Sequence, residues 1–244
     1  MLLSHELWAQ IPIPADELKP QKKAPALENT VTMYTRAIRD TKGNRRIDES
    51  FVGDFRVLNW LKLQAGIRFG EEPQHLDAYY HYKLELSSKF FYNRIRGIVR
   101  ISDNVINYFP SAYRKTNELV IAEFRQPFSR ALQIRVAFGY LFSWRSPTPE
   151  ALPVNTGMNV NYPVFRISMM YTTKTKTSYE LVYGSYDVFN PYDYKQPFMQ
   201  ASVEQELSKR TAIFSYFRYQ YDLDVFRPLN YFLCFGVERS LDKK

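Results

Sequence analysis

From about Glu28 onward, apolar and polar residues alternate along this chain with a period of two. Successive side chains of a strand point to opposite faces, so this alternation reads as strands whose two faces meet different surroundings. The clearest stretch is 130–144, where Leu132, Ile134, Val136, Phe138, Tyr140, Phe142 and Trp144 fall on one face. Ala131, Gln133, Arg135, Ala137, Gly139 and Ser143 fall on the other, interrupted by Leu141. The same split recurs at 61–69, 76–86, 199–207, 211–221 and 229–241. It predicts twelve strands, at 28–39, 48–58, 61–69, 76–87, 89–101, 116–126, 130–144, 162–173, 178–188, 197–207, 211–221 and 229–241. A ten-strand arrangement, with the first two segments placed elsewhere, is the alternative.

The connections between these segments alternate in length. Tight turns are expected near Asn59-Trp60, Ser87-Ser88, Pro127-Phe128, Lys174-Thr175 and Ser208-Lys209. Longer connections are expected around 40–47, 70–75, 102–115, 145–161, 189–197 and 222–228. Outer-membrane barrels have this asymmetry, with short periplasmic turns and longer extracellular loops. The fold class that follows is all-β: a transmembrane, antiparallel, up-and-down β-barrel of about twelve strands over 28–241, preceded by an extension at 1–27. Alternation alone does not say which face is outside. A soluble lipocalin-like barrel or sandwich would turn the apolar face inward. The length of the apolar faces, their aromatic ends (Phe69, Tyr140, Phe142, Trp144, Tyr219, Tyr221) and the large core twelve strands would otherwise need all favour a lipid-facing exterior.

Composition changes this picture little. Aromatic residues make up 16% of the chain, 19 Tyr and 18 Phe, which suits strands and membrane interfaces. No run of 18 apolar residues exists, so a transmembrane helix is excluded. The mean hydropathy of −0.40 suits a barrel in which every second residue faces lipid. The net charge is +8, but Lys and Arg are dispersed among apolar strand positions, which argues against a nucleic-acid surface. The single cysteine, Cys234, allows no intrachain disulfide. Residues 11–27 carry four Pro and no periodicity and read as an extended periplasmic tail. Ala9-Gln10 resembles the end of a bacterial signal peptide, and the expectation is that residues 1–10 are a signal remnant whose full signal starts upstream.

Three hairpin sequences, LDAYYHYKLELSSKFFYNRIRGIVRI, TNELVIAEFRQPFSRALQIRVAFGYLF and ASVEQELSKRTAIFSYFRYQY, resemble those of small Bacteroidota outer-membrane barrels of uncharacterised function. The closing NYFLCFGVERSL resembles a terminal barrel strand. The resemblance covers most of 28–241 and implies a bacterial outer-membrane location. This chain departs from many such barrels in having nine Gly, a basic charge and an Asp242-Lys243-Lys244 ending.

If the apolar face meets lipid, the polar face lines the interior. Candidate pore-lining residues are Lys62, Arg68, Arg94, Arg96, Arg100, Arg135 and Arg166, with Glu85, Glu123 and His81. The same face carries Arg56, Lys83, Arg125, Arg218, Glu180, Glu204 and Glu238 among its further charges. Arg94, Arg96 and Arg100 form a ladder that would favour anions in an open pore. In a sealed barrel the same arginines would pair with carboxylates such as Glu85 and Glu123. Catalysis has one candidate, His81, on a face with Asp77 and Glu85, but no GxSxG or HExxH motif supplies a nucleophile or metal site. Glu71, Glu72 and His75 form a weak cation-binding combination. The functional expectation is therefore a non-enzymatic outer-membrane barrel without cofactor or metal, either a narrow polar channel or an accessory or structural subunit of an envelope complex. The alternatives are a lipid-modifying barrel enzyme and a soluble barrel binding protein. Partners expected are outer-membrane lipid and other envelope proteins, met through 11–27 or the long loops, and no nucleic acid.

Overall fold

The structure is a computed structural model. It describes residues 29–40, 43, 45–58, 60–72, 75–92, 94–106, 113–147, 160–186, 196–223 and 227–241. The proposed tail at 11–27 lies outside these residues. So do the side chains of 70–82 and 103–115.

Twelve antiparallel strands close into one barrel. They are β1 (Thr30–Asp40), β2 (Arg45–Leu58), β3 (Leu61–Glu72), β4 (His75–Ser87), β5 (Ile95–Ile106), β6 (Tyr113–Pro127), β7 (Leu132–Pro147), β8 (Val160–Thr172), β9 (Thr177–Gly184), β10 (Phe198–Glu206), β11 (Thr211–Asp222) and β12 (Arg227–Ser240). Each pairs with its sequence neighbours, and β1 closes on β12 from Thr30↔Ser240 to Asp40↔Asn230. The ten-strand alternative is therefore not what forms. Both ends of the barrel chain reach the edge that carries the tight turns.

Several boundaries move. β1 and β2 continue to Asp40 and Arg45, and β3 and β4 to Glu72 and His75, so two of the expected long connections are short. The predicted strand at 89–101 starts only at Ile95. Before it, Ser88 N donates to Gly97 O, Phe91 pairs with Ile95, and Tyr92 takes a left-handed φ of 47° to reverse the chain. The predicted strand at 178–188 ends at Gly184, after which Ser185 and Tyr186 are buried.

The two faces are arranged as a membrane barrel requires. Outward residues are large and apolar: Phe138 is 61% exposed, and Phe51, Leu63, Met199, Phe217 and Phe235 are also exposed. Inward residues on the same strands are polar and buried, including Asp48 at 0% and Gln64 at 3%. This order is opposite to that of a soluble barrel, so the soluble alternative is corrected. Aromatic rings gather outside at both edges. Tyr140 packs on Phe142, Tyr219 packs on Tyr221 and Tyr231, and the Tyr221 hydroxyl donates to Tyr183 Oη at 3.1 Å, all toward the loop edge. Trp60, Phe91, Tyr92, Phe128, Tyr171 and Tyr179 are exposed toward the tight-turn edge. Amphipathic rings at both boundaries suit the two membrane–water interfaces.

Candidate functional site: the barrel lumen

Strand parity decides which side chains enter the lumen, and distance from the tight turns decides where they sit. Two regions result.

The loop-side half is packed. Arg36 on β1 donates to Asp48 on β2 at 2.7 Å, and both are buried. The Arg36 guanidinium lies 5.4 Å from the Phe232 ring centre. Arg218 on β11 stands over Phe198 at 4.3 Å and donates to Gln200 Oε1 at 2.9 and 2.6 Å. Arg68 donates to Ser50 Oγ at 3.3 Å, and Ser143 to Asn117 Oδ1 at 2.8 Å. Cationic groups stacked on rings and hydrogen-bonded to acceptors are the arrangement in which buried charge is tolerated. Against the β5–β8 wall, Tyr186 packs with Ile98, Leu119, Ile121, Ala137, Leu141 and Val164. A second cluster holds Tyr34, Val52 and Cys234 with Phe214 packed against it, and Gly236 makes room for it: a Cβ there would meet the Phe214 ring at 2.3 Å and Tyr34 Cβ at 2.7 Å.

The tight-turn half holds a vestibule of about 540 Å³. Its lining residues lie near the tight-turn ends of their strands: Thr30 and Thr32 on β1, Asp54 and Arg56 on β2, Arg166 and Ser168 on β8, Glu204 on β10 and Glu238 on β12. Tyr34, Tyr186, Phe214 and Tyr216 supply its aromatic lining. Its cations are segregated, whereas its carboxylates are not: Asp54, Glu85 and Glu123 share their arc. Every lining cation stands on β2 to β8: Arg56, Lys62, Lys83, Arg96, Arg100, Arg135 and Arg166. On β9 to β12 and β1 the lining charges are Glu180, Glu204 and Glu238.

Part of the basic wall is neutralised locally. Arg96 donates through Nε and Nη2 to the two carboxylate oxygens of Glu123, both at 3.1 Å. Arg100 donates to Glu85 Oε2 at 3.1 and 2.8 Å. Arg166 reaches Glu180 at 3.2 Å. Register also sets like charges opposite each other, Arg125 against Arg135 and Arg56 against Lys62. Directly opposed like charges destabilise a strand pair. Phe90, turning inward from the β4–β5 turn, lies 4.8 Å below Arg96 and 4.2 Å below Arg125.

The expected site residues are thus distributed unevenly. Lys62, Glu85, Arg96, Arg100, Glu123, Arg135 and Arg166 share the vestibule. Arg68 faces the lumen in the packed half instead, because its strand has climbed past the cavity at that position. Arg94 precedes β5 in the β4–β5 turn, where its carbonyl accepts from Arg125 N, and it does not line this vestibule; within β5 the vestibule arginines are Arg96 and Arg100. The backbone of His81 pairs with Gly66 and Asn104, while its side chain and those of Asp77, Glu71, Glu72 and His75 lie outside the described residues. Residues the sequence reading passed over are Arg36, Asp48, Phe90 and Tyr186. Arg36 and Asp48 have the inward parity of their strands, which was the available signal. Tyr186 likewise has the parity of the inward Glu180 and Val182.

A closed, twelve-stranded, up-and-down barrel with an apolar exterior and a charged interior has the fold of bacterial outer-membrane porins. Among solved structures the chain is similar to an outer-membrane channel from Pseudomonas putida F1 (TM-score 0.59, 8% identity, covering 89% of this chain and 97% of that one). It is also similar to the KdgM porin (TM-score 0.55, 11% identity, 86% and 99%) and the NanC porin (TM-score 0.54, 8% identity, 86% and 100%). Neither a protein-family model nor a curated protein sequence matches the chain.

Proposed function

We propose that this chain is a non-enzymatic bacterial outer-membrane protein whose lumen serves as a narrow polar channel. The hairpin resemblance supports an envelope of the Bacteroidota type. The observation that carries the reading is the charged vestibule inside an apolar-belted closed barrel. Charged side chains lining a narrow passage select permeating ions. Porins and an outer-membrane channel among its structural neighbours support this reading. Planar-bilayer recording tests it. Purified, folded protein should give small discrete conductance steps with a mild anion preference. Arg56→Glu combined with Arg135→Glu should move the reversal potential toward cation preference. Folded protein that inserts into the bilayer and never conducts would end the channel reading.

A second reading, a sealed structural or accessory subunit of an envelope complex, has its own support in the packed loop-side half, where Arg36, Asp48, Phe198 and Leu141 are all buried. Stoichiometric copurification of another envelope protein, together with absent conductance, is the outcome that favours it.

A further inference from the structure

We infer that the vestibule is a binding site for small zwitterions, of the class of amino acids and short peptides. The site concerns binding from the tight-turn mouth and stands whether or not solute goes on to cross the barrel.

The starting point is which charges remain unsatisfied. Among the described residues, Arg56, Lys62 and Arg135 have no ion-pair or hydrogen-bond partner, and the Nε atoms of Arg56 and Arg135 are buried without an acceptor. Glu204, on β10, likewise has none, and its charged neighbours are the carboxylates Glu180 and Glu206. All four line the same cavity. Charges inside a narrow lumen interact more strongly than they would at a free surface, because protein walls replace part of the screening water.

The arrangement discriminates by charge pattern. A simple anion drawn to Arg135 brings no counter-charge to Glu204. A simple cation drawn to Glu204 leaves Arg56, Lys62 and Arg135 as they were. A solute with a carboxylate at one end and an ammonium at the other meets both needs. A carboxylate can take two hydrogen bonds from a guanidinium, which fixes its orientation. The cavity volume of about 540 Å³ lies in the range of pockets that hold small organic ligands.

The test uses the full chain refolded in detergent micelles, with glycylglycine as the zwitterion. N-acetylglycylglycine supplies the anion alone and glycylglycinamide the cation alone. Equilibrium binding at low ionic strength should rank the zwitterion about tenfold tighter than either analogue, the loss of one charged contact. Arg135→Gln and Glu204→Gln should each lower glycylglycine affinity about tenfold. Arg135→Gln should leave glycylglycinamide binding unchanged, and Glu204→Gln should leave N-acetylglycylglycine binding unchanged. Equal affinity for glycylglycine and N-acetylglycylglycine overturns the inference, as does wild-type affinity in both variants when they are folded. If a variant does not fold, the ranking of the three probes on the native chain decides alone. Zwitterion-selective binding by a barrel that passes no current supports the site and removes the channel reading. Current without this ranking does the reverse.

Discussion

At Phe138, a ring that a soluble fold would bury is 61% exposed, while one residue earlier Ala137 is buried in the lumen. This contrast sets the first prediction. Phe138→Arg places a guanidinium against hydrocarbon and should lower unfolding stability by about 2–4 kcal/mol if near the bilayer midplane. Gln133→Ala, on the inward face, should change it by under about 1 kcal/mol. A urea titration in lipid vesicles compares them, and equal tolerance would contradict the assigned faces. Asp48 shows the opposite risk. Removing it with Asp48→Ala takes the carboxylate from the buried Arg36 guanidinium and should cost about 3–5 kcal/mol. The apolar pair Arg36→Met with Asp48→Leu should recover most of that loss, because it removes both desolvated charges at once. Failure of the double variant to recover would show that Arg36 is held by more than its carboxylate, for instance by the Phe232 ring beneath it.

At the scale of strands and turns, the β4–β5 connection carries the third prediction. Phe90 lies under both Arg96 and Arg125. Phe90→Ala should lower stability by about 1–2 kcal/mol through lost cation–π contact. Phe91→Ala, whose ring points out at 66% exposure, should cost less in the same denaturation assay. The same turn shows what the sequence could and could not convey. Strict alternation made β3 and β7 legible, since a period of two with a lipid-facing side leaves no other consistent register of faces. In Phe90, Phe91 and Tyr92 the strand-forming residues continue while the chain reverses, so composition pointed to a strand where Tyr92 takes a left-handed turn conformation. Much of the lumen lining could be read because parity assigns each residue a face. Parity does not assign a neighbour across the ladder. The opposition of Arg125 to Arg135, and of Arg56 to Lys62, depends on hairpin register, which turn geometry sets. The confinement of the lining cations to β2 to β8 became visible only when the strands were ordered around a closed wall.

For the whole molecule, the apolar exterior predicts that the protein is recovered in the detergent-extracted outer-membrane fraction and migrates faster on gels before boiling than after. Monodisperse protein in the detergent-free soluble fraction would count against that placement. The β1–β12 seam carries a separate consequence, for the order of assembly. Eleven of the twelve ladders join strands adjacent in sequence, whereas the seam joins Thr30 to Ser240. Bringing such distant ends together costs about 3 kcal/mol more chain entropy than closing a ten-residue turn. An unfolded chain would meet that cost before any seam hydrogen bond forms, so the seam should be the last ladder to form, and its docking the rate-limiting event of folding. A substitution that weakens this ladder, such as Met33→Pro, should slow folding more than an equivalent change in the β6–β7 hairpin. Until the seam shuts, β1 and β12 each present a row of unpaired backbone groups, which makes the nearly complete sheet the species most prone to pair with another chain.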